Sequence, residues 1–192
     1  FMWSRGGPTG PTIADMSRIA QRALVALGAA ARAEWVYPGE RSDPQATAIR
    51  ALVALERLPA PAGDYARARA DHLRTVLAAD LAALGDRYWD DERTRPFARD
   101  FYAQTLIFRP DHDLALRRSR LTVGQLADLR DQAEESGFTP EQLEAAAPLK
   151  ILATTTDPAV IAALVADQER CSEPVPAAIG GAAPAGHAPT EP

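Results

Sequence analysis

Asp86, Asp90, Asp91 and Glu92 fall within seven residues near the end of one predicted helix. Carboxylates gathered in this way are the residue type that could hold a metal ion or share acid–base work. Arg87, Arg93, Arg95 and Arg99 are interleaved with them, however, and such a mixture reads as a solvated face of mixed charge. His72, His112 and His187 stand far apart, and none falls in a ligand spacing such as His-Glu-x-x-His. The single cysteine, Cys171, excludes an internal disulfide framework. Glu169 and Glu173 are its neighbours in sequence, and negative charge disfavours a nucleophilic thiolate. No glycine-rich phosphate loop is present, since Gly6, Gly7 and Gly10 belong to a proline-rich stretch. The expectation is a chain without catalytic, cofactor or metal site.

Recognition of nucleic acid is disfavoured on the same grounds. Net charge is −5, and residues 121–173 carry three basic against ten acidic groups, the opposite of a phosphate-binding footprint. Arg117, Arg118 and Arg120 form a basic run, but cations at a helix C-terminus are favoured by the backbone dipole alone. Residues 122–152 have the outline of a helix-turn-helix. Their second helix offers Glu141, Glu144 and alanines where a base-reading row is needed. Of the 21 basic residues only Lys150 is lysine and asparagine is absent, a bias that high-GC coding explains without any ligand.

The elements that must position any site are helical. Forty alanines make up about a fifth of the 192 residues, and alanine is the strongest helix former. No run alternates apolar and polar residues as a strand requires. Thr12 opens the first helix with Asp15 three residues on, and Ile13, Met16, Ala20, Leu24, Leu27 and Ala31 recur at helical spacing towards Trp35. Asp43-Pro44 opens a second, with Ile49, Leu52, Val53 and Leu55 as its buried face up to Pro59. A long helix follows from about Asp64 to Tyr88, striped by Leu73, Leu77, Leu81 and Leu84, with Arg67, Arg74, Asp80 and Arg87 off the stripe. Pro96 starts a helix carrying Phe97, Phe101, Tyr102, Leu106 and Phe108, which ends before Pro110. Asp111 is placed to cap a short helix to Arg120. Thr122…Gln125 and Thr139…Gln142 are capping boxes for two more, with Gly137 between them, and Asp157-Pro158 opens the last. The whole reads as all-α, with connections of about 3 to 8 residues and antiparallel helical hairpins.

The organisation that follows is a linker at 1–11, a helical domain at 12–173 and a disordered tail at 174–192, whose low content of bulky apolar groups cannot offset the entropy of ordering. Phe1-Met2-Trp3 followed by Ser4-Arg5 looks like the exit of a membrane anchor, because aromatic residues and arginine gather at membrane–water boundaries.

Arg22-Ala-Leu-Val-Ala-Leu27 recurs letter for letter as Arg50-Ala-Leu-Val-Ala-Leu55. Between Leu84 and Pro110 a sharper pattern appears: Leu84-Gly85-Asp86-x-Tyr88, then Ala98, Phe101-Tyr102 and a closing proline. This resembles the tetratricopeptide repeat over residues 78–111, with a turn one residue longer and Thr105 where that family has a small residue. The resemblance implies a short α-solenoid or bundle in which Gly85 and Ala98 let two helices cross closely. It also places Ala79, Ala82, Asp86, Trp89 and Asp90 on a groove-lining helix. Trp89 is then either a core filler or an exposed anchor, and with Asp86 and Asp90 beside it an exposed Trp89 suits a peptide bearing basic and apolar groups.

Residues 84–112 together with 121–146 also resemble C-terminal helical regions attached to serine/threonine kinases of high-GC bacteria such as myxobacteria. None of the kinase's own motifs is present. The resemblance implies a non-catalytic module that binds a protein or peptide, as the accessory region of a larger signalling protein. The alternatives are a structural self-association domain or a membrane-anchored spacer.

Overall fold

A computed structural model describes residues 10–39, 42–43 and 45–172, and among them the chain is all-α. The expected tail at 174–192 and most of the linker at 1–11 lie outside the described residues. The helices are α1 (Ile13–Ala31), α2 (Ala48–Glu56), α3 (Gly63–Trp89), α4 (Arg95–Phe108), α5 (Asp113–Ser119), α6 (Val123–Asp131), α7 (Pro140–Thr154) and α8 (Pro158–Ser172). A π-helical turn, Gln132–Ser136, continues α6. None of the described helices is long and apolar enough to cross a membrane.

Local chemistry sets most of the helix starts. The Thr12, Thr122 and Thr139 hydroxyls accept from the amides of Asp15, Gln125 and Gln142, and each of those side chains accepts in return from the threonine amide. The Thr12 amide and hydroxyl, donating to Asp15, hold that carboxyl below its ordinary range. α4 ends at Arg109, whose extended backbone is what the ring of Pro110 demands.

Two starts differ from the sequence expectation. α2 begins at Ala48, capped by Thr47, rather than at Asp43-Pro44. The amides of Ala48 and Ile49 donate to the carbonyls of Glu34 and Trp35, so a tertiary pairing fixes the first turn, while Asp43 accepts from Gln45 in a preceding turn. The α1–α2 connection, residues 32–47, is accordingly longer than the expected 3 to 8. At α5 the cap is His112, whose Nδ1 accepts from the Ala115 amide. Asp111 is instead held by Arg109.

α3 and α4 form the centre, packed along each other, and α1 and α2 pair beside them. Leu73, Leu77, Leu81, Leu84 and Tyr88 on α3 are buried, as are Phe97, Phe101, Tyr102, Leu106 and Phe108 on α4. Arg74, expected off the stripe, is buried too. Its guanidinium grips both oxygens of Glu56 at 2.7 and 3.0 Å and reaches the Ile107 carbonyl, which ties α2, α3 and α4 together. Further along, the Tyr88 hydroxyl donates to the Leu152 carbonyl at 2.7 Å and fastens α7 to α3.

The π turn has its own partner. Arg50, buried on α2, donates to the carbonyls of Ala133, Gln132 and Glu135, and Arg57 pairs with Glu135. A π turn shifts its carbonyls out of the α-helical ladder, and here one guanidinium fork satisfies them. Gly137, at φ 85°, then reverses the chain into α7.

Candidate functional site

The expected buried face of α1 is not the buried one. Ile13, Met16, Leu24 and Leu27 are exposed, and the core takes Ile19, Ala23, Ala26 and Ala29. α1 has two apolar faces, one of small and one of large side chains. The alanine face lets its backbone approach α2 closely and leaves the larger residues outside. The duplicated hexapeptide makes the difference plain. Leu52 and Leu55 in α2 are 0% exposed, whereas their counterparts in α1, Leu24 and Leu27, are 68% and 37% exposed.

The uncovered stripe is one wall of a groove of about 630 Å³. Met16, Leu24 and Leu27 form that wall, Ile19 and Ala23 the floor, and Tyr65 and Ala68 of α3 the opposite wall. Arg69 and His72 stand on the α3 side, and neither makes an ion pair or hydrogen bond with another described residue; among the described residues that line the groove none is acidic. The groove therefore joins a wide apolar surface to two unpaired basic side chains. A contiguous apolar patch bordered by charge is the usual character of a protein-binding surface rather than of bulk surface.

Asp86, Trp89 and Asp90 lie at the end of α3, but the structure does not give them one role. Asp86 accepts from the Tyr102 hydroxyl at 2.6 Å and from Arg118 at 2.7 Å, and Arg118 also donates to the Tyr102 hydroxyl. Burial, followed by the bond to Asp86, pushes the Tyr102 hydroxyl up to about 12. Trp89 is half-buried. The Arg118 guanidinium sits 4.4 Å from its ring centroid, Arg95 lies 5.6 Å away, and Tyr102 meets it edge-on. Trp89 is thus both a packing residue and the platform for a cation, while Asp90 is exposed at the C-cap of α3. Of the groove residues carried over from the repeat resemblance, Ala82 is buried and Ala79 exposed. Arg118 comes from the basic run that sequence reasoning assigned to the helix dipole, and only the fold shows that it closes over Trp89.

The remaining carboxylates of the 86–92 cluster, Asp91 and Glu92, are exposed. Asp91 accepts from the Arg93 amide, Arg93 pairs with Glu169 of α8, and no grouping of three or more metal-ligating side chains occurs among the described residues. His187 and the Cys171 side chain lie outside what the structure describes.

Comparison with protein-family models, with curated proteins and with solved structures gives no match to this chain.

Proposed function

We propose that this chain is a non-catalytic docking module whose α1–α3 groove receives an amphipathic helix from a protein partner. The observation that carries this reading is the exposure of Leu24 and Leu27, whose counterparts in the α2 copy of the hexapeptide, Leu52 and Leu55, are fully covered. The α1 side of the groove runs from Met16 to Leu27, about 16 Å at 1.5 Å per residue, which is three turns of a bound helix. Large apolar side chains at i, i+4 and i+7 of the partner meet Met16, Leu24, Leu27 and Tyr65. Carboxylates along one edge of the partner meet Arg69 and His72.

The likeness of residues 84–112 and 121–146 to regions attached to bacterial kinases supports placing the module as the accessory part of a larger signalling protein. Self-association through the same α1 stripe is the competing reading, because residues 13, 16, 20, 24 and 27 also have the spacing of a helix–helix seam.

Selection of helical peptides from a display library on the wild-type chain, with counter-selection on a Leu24→Ser, Leu27→Ser variant, tests the proposal. Enrichment of sequences with apolar residues at i, i+4 and i+7 and a flanking acidic edge supports it. Failure to enrich any sequence that the variant loses refutes it, and dimerisation abolished by the same variant favours self-association.

A further inference from the structure

A second cavity, of about 200 Å³, opens between the loop after α1, the middle of α4, the π turn and α7. It shares no lining residue with the α1–α3 groove. Asp100 is the one carboxylate among the described residues that line it. The side chain makes no hydrogen bond or ion pair with any described residue, although twenty arginines are distributed through the chain. Asp100 is an exposed residue at the cavity, and desolvation of its carboxyl pushes it up to about 6 against the opposing pull of Arg99. Tyr37 and Phe138 also line the cavity, their ring centroids 4.6 Å apart at a tilt of 50°. The charge of Asp100 acts on the Tyr37 hydroxyl and adds to the effect of burial in keeping it protonated. Leu129, Ala145, Ala146 and Leu149 make up the rest of the apolar lining.

The two glutamines of the lining are bonded to each other and to the start of α7. The Gln142 amide nitrogen donates to the Gln132 carbonyl oxygen at 3.1 Å, and the Gln142 carbonyl accepts from the Thr139 amide. Each glutamine carbonyl oxygen keeps a second lone pair, so these oxygens, the Tyr37 hydroxyl and Asp100 all remain able to accept, and the one charge among the described lining residues is the negative charge of Asp100. That set suits neither an anion nor a hard metal ion, which demands six or more oxygens. A neutral apolar guest leaves the carboxylate without a partner. What matches one carboxylate, two aromatic rings and an aliphatic wall is a cation on a short hydrocarbon stem: the ammonium pairs with Asp100, the rings attract positive charge, and the methylenes lie against Leu149.

From this lining we infer that the cavity is a binding site for a primary alkylammonium group, either a free amine or the lysine side chain of a bound protein. The volume, at roughly 30 Å³ for each water-sized group, admits about six heavy atoms, enough for an ammonium and a four- or five-carbon stem.

The test is a titration of the full chain with n-butylammonium chloride at about pH 7.5, followed through the side-chain amide resonances of Gln132 and Gln142. Saturable shifts with a dissociation constant of about 1 mM or tighter are expected. n-Butanol, which has the stem without the charge, gives none at the same concentration. Asp100→Asn, whose fold is checked by its unaltered amide spectrum elsewhere, weakens binding at least tenfold. A lysine-containing tripeptide run in parallel separates the two sources: tighter binding than butylammonium identifies a protein side chain, and weaker binding identifies a free amine. No saturable shift up to about 50 mM, equal binding by n-butanol, or undiminished binding by Asp100→Asn overturns the inference.

Discussion

Gly85 on α3 lies against the ring of Tyr102 on α4 so closely that a Cβ on Gly85 would stand 2.8 Å from Cε1 and Cζ of that ring. The helix crossing is set by this contact, and the Tyr102 ring has no room to retreat because it is fully buried with its hydroxyl bonded to Asp86. Gly85→Ala gains about 0.5–1 kcal/mol of helix propensity yet forces overlap in the core, so a net loss of about 1–2 kcal/mol is expected. Urea unfolding measures it. Unchanged or increased stability shows that the crossing can relax.

The two copies of Arg-Ala-Leu-Val-Ala-Leu provide a comparison within one chain. Leu52→Ala removes a fully buried side chain and is expected to lower stability by about 2–5 kcal/mol, whereas Leu24→Ala, on an exposed face, changes it by less than about 0.5 kcal/mol. Chemical denaturation of both variants checks the pair. A large loss at Leu24 would mean that the α1 stripe is covered in the folded chain, contrary to the docking reading.

Arg50 holds three carbonyls of the π turn, and Arg50→Met leaves them without their donor. Hydrogen exchange of the amides at 132–137 is expected to quicken well beyond that of α3. Global stability falls by about 2 kcal/mol, the range for charge-assisted bonds lost from a buried site. Equal exchange in the two proteins would show that the turn supports itself.

Asp100 makes stability depend on pH in a stated direction. Its folded value, about 6, lies above the 3.8 of the free side chain, so between those values the folded chain binds more protons than the unfolded one. The contribution of Asp100 is therefore fully favourable below about pH 4 and is lost as pH rises through 6. Asp100→Asn is expected to raise stability at pH 7.5 by about 1 kcal/mol, a value reduced from the full shift because the residue keeps an exposed face. Thermal unfolding at pH 4 and 7.5 tests the sign: a gain at pH 7.5 that is absent at pH 4 agrees, and destabilisation at pH 7.5 contradicts it.

Where helices begin was legible wherever the signal is local. Thr12, Thr122 and Thr139 each needed only a partner three residues on, and Pro96 and Pro110 bound α4 by their own geometry. The stripe of α3 was legible because it carries one large-residue face, and α4, buried all round from Phe101 to Phe108, was legible from its density of aromatic and aliphatic side chains. α1 misled because alanine is apolar without being bulky, so spacing alone could not choose between two faces. The start of α2 and the grip of Arg50 on the π turn depend on residues 14 to 85 positions away, and no window along the chain contains both partners. The same holds for the candidate site. Asp86 and Trp89 were singled out from the sequence, but their engagement by Arg118 and the groove beside Tyr65 exist only once α1, α3 and α5 are assembled.

The docking reading is tested most directly by titrating a labelled 15-residue helical peptide, with leucines at i, i+4, i+7 and i+11 and glutamates on one flank, against the isotope-labelled chain. Amide shifts confined to α1 and to residues 65–72 of α3 are expected, with a micromolar dissociation constant that weakens at least tenfold in Leu24→Ser and in Arg69→Glu. Shifts scattered over the surface, or affinity unchanged in both variants or in a scrambled peptide, would contradict it.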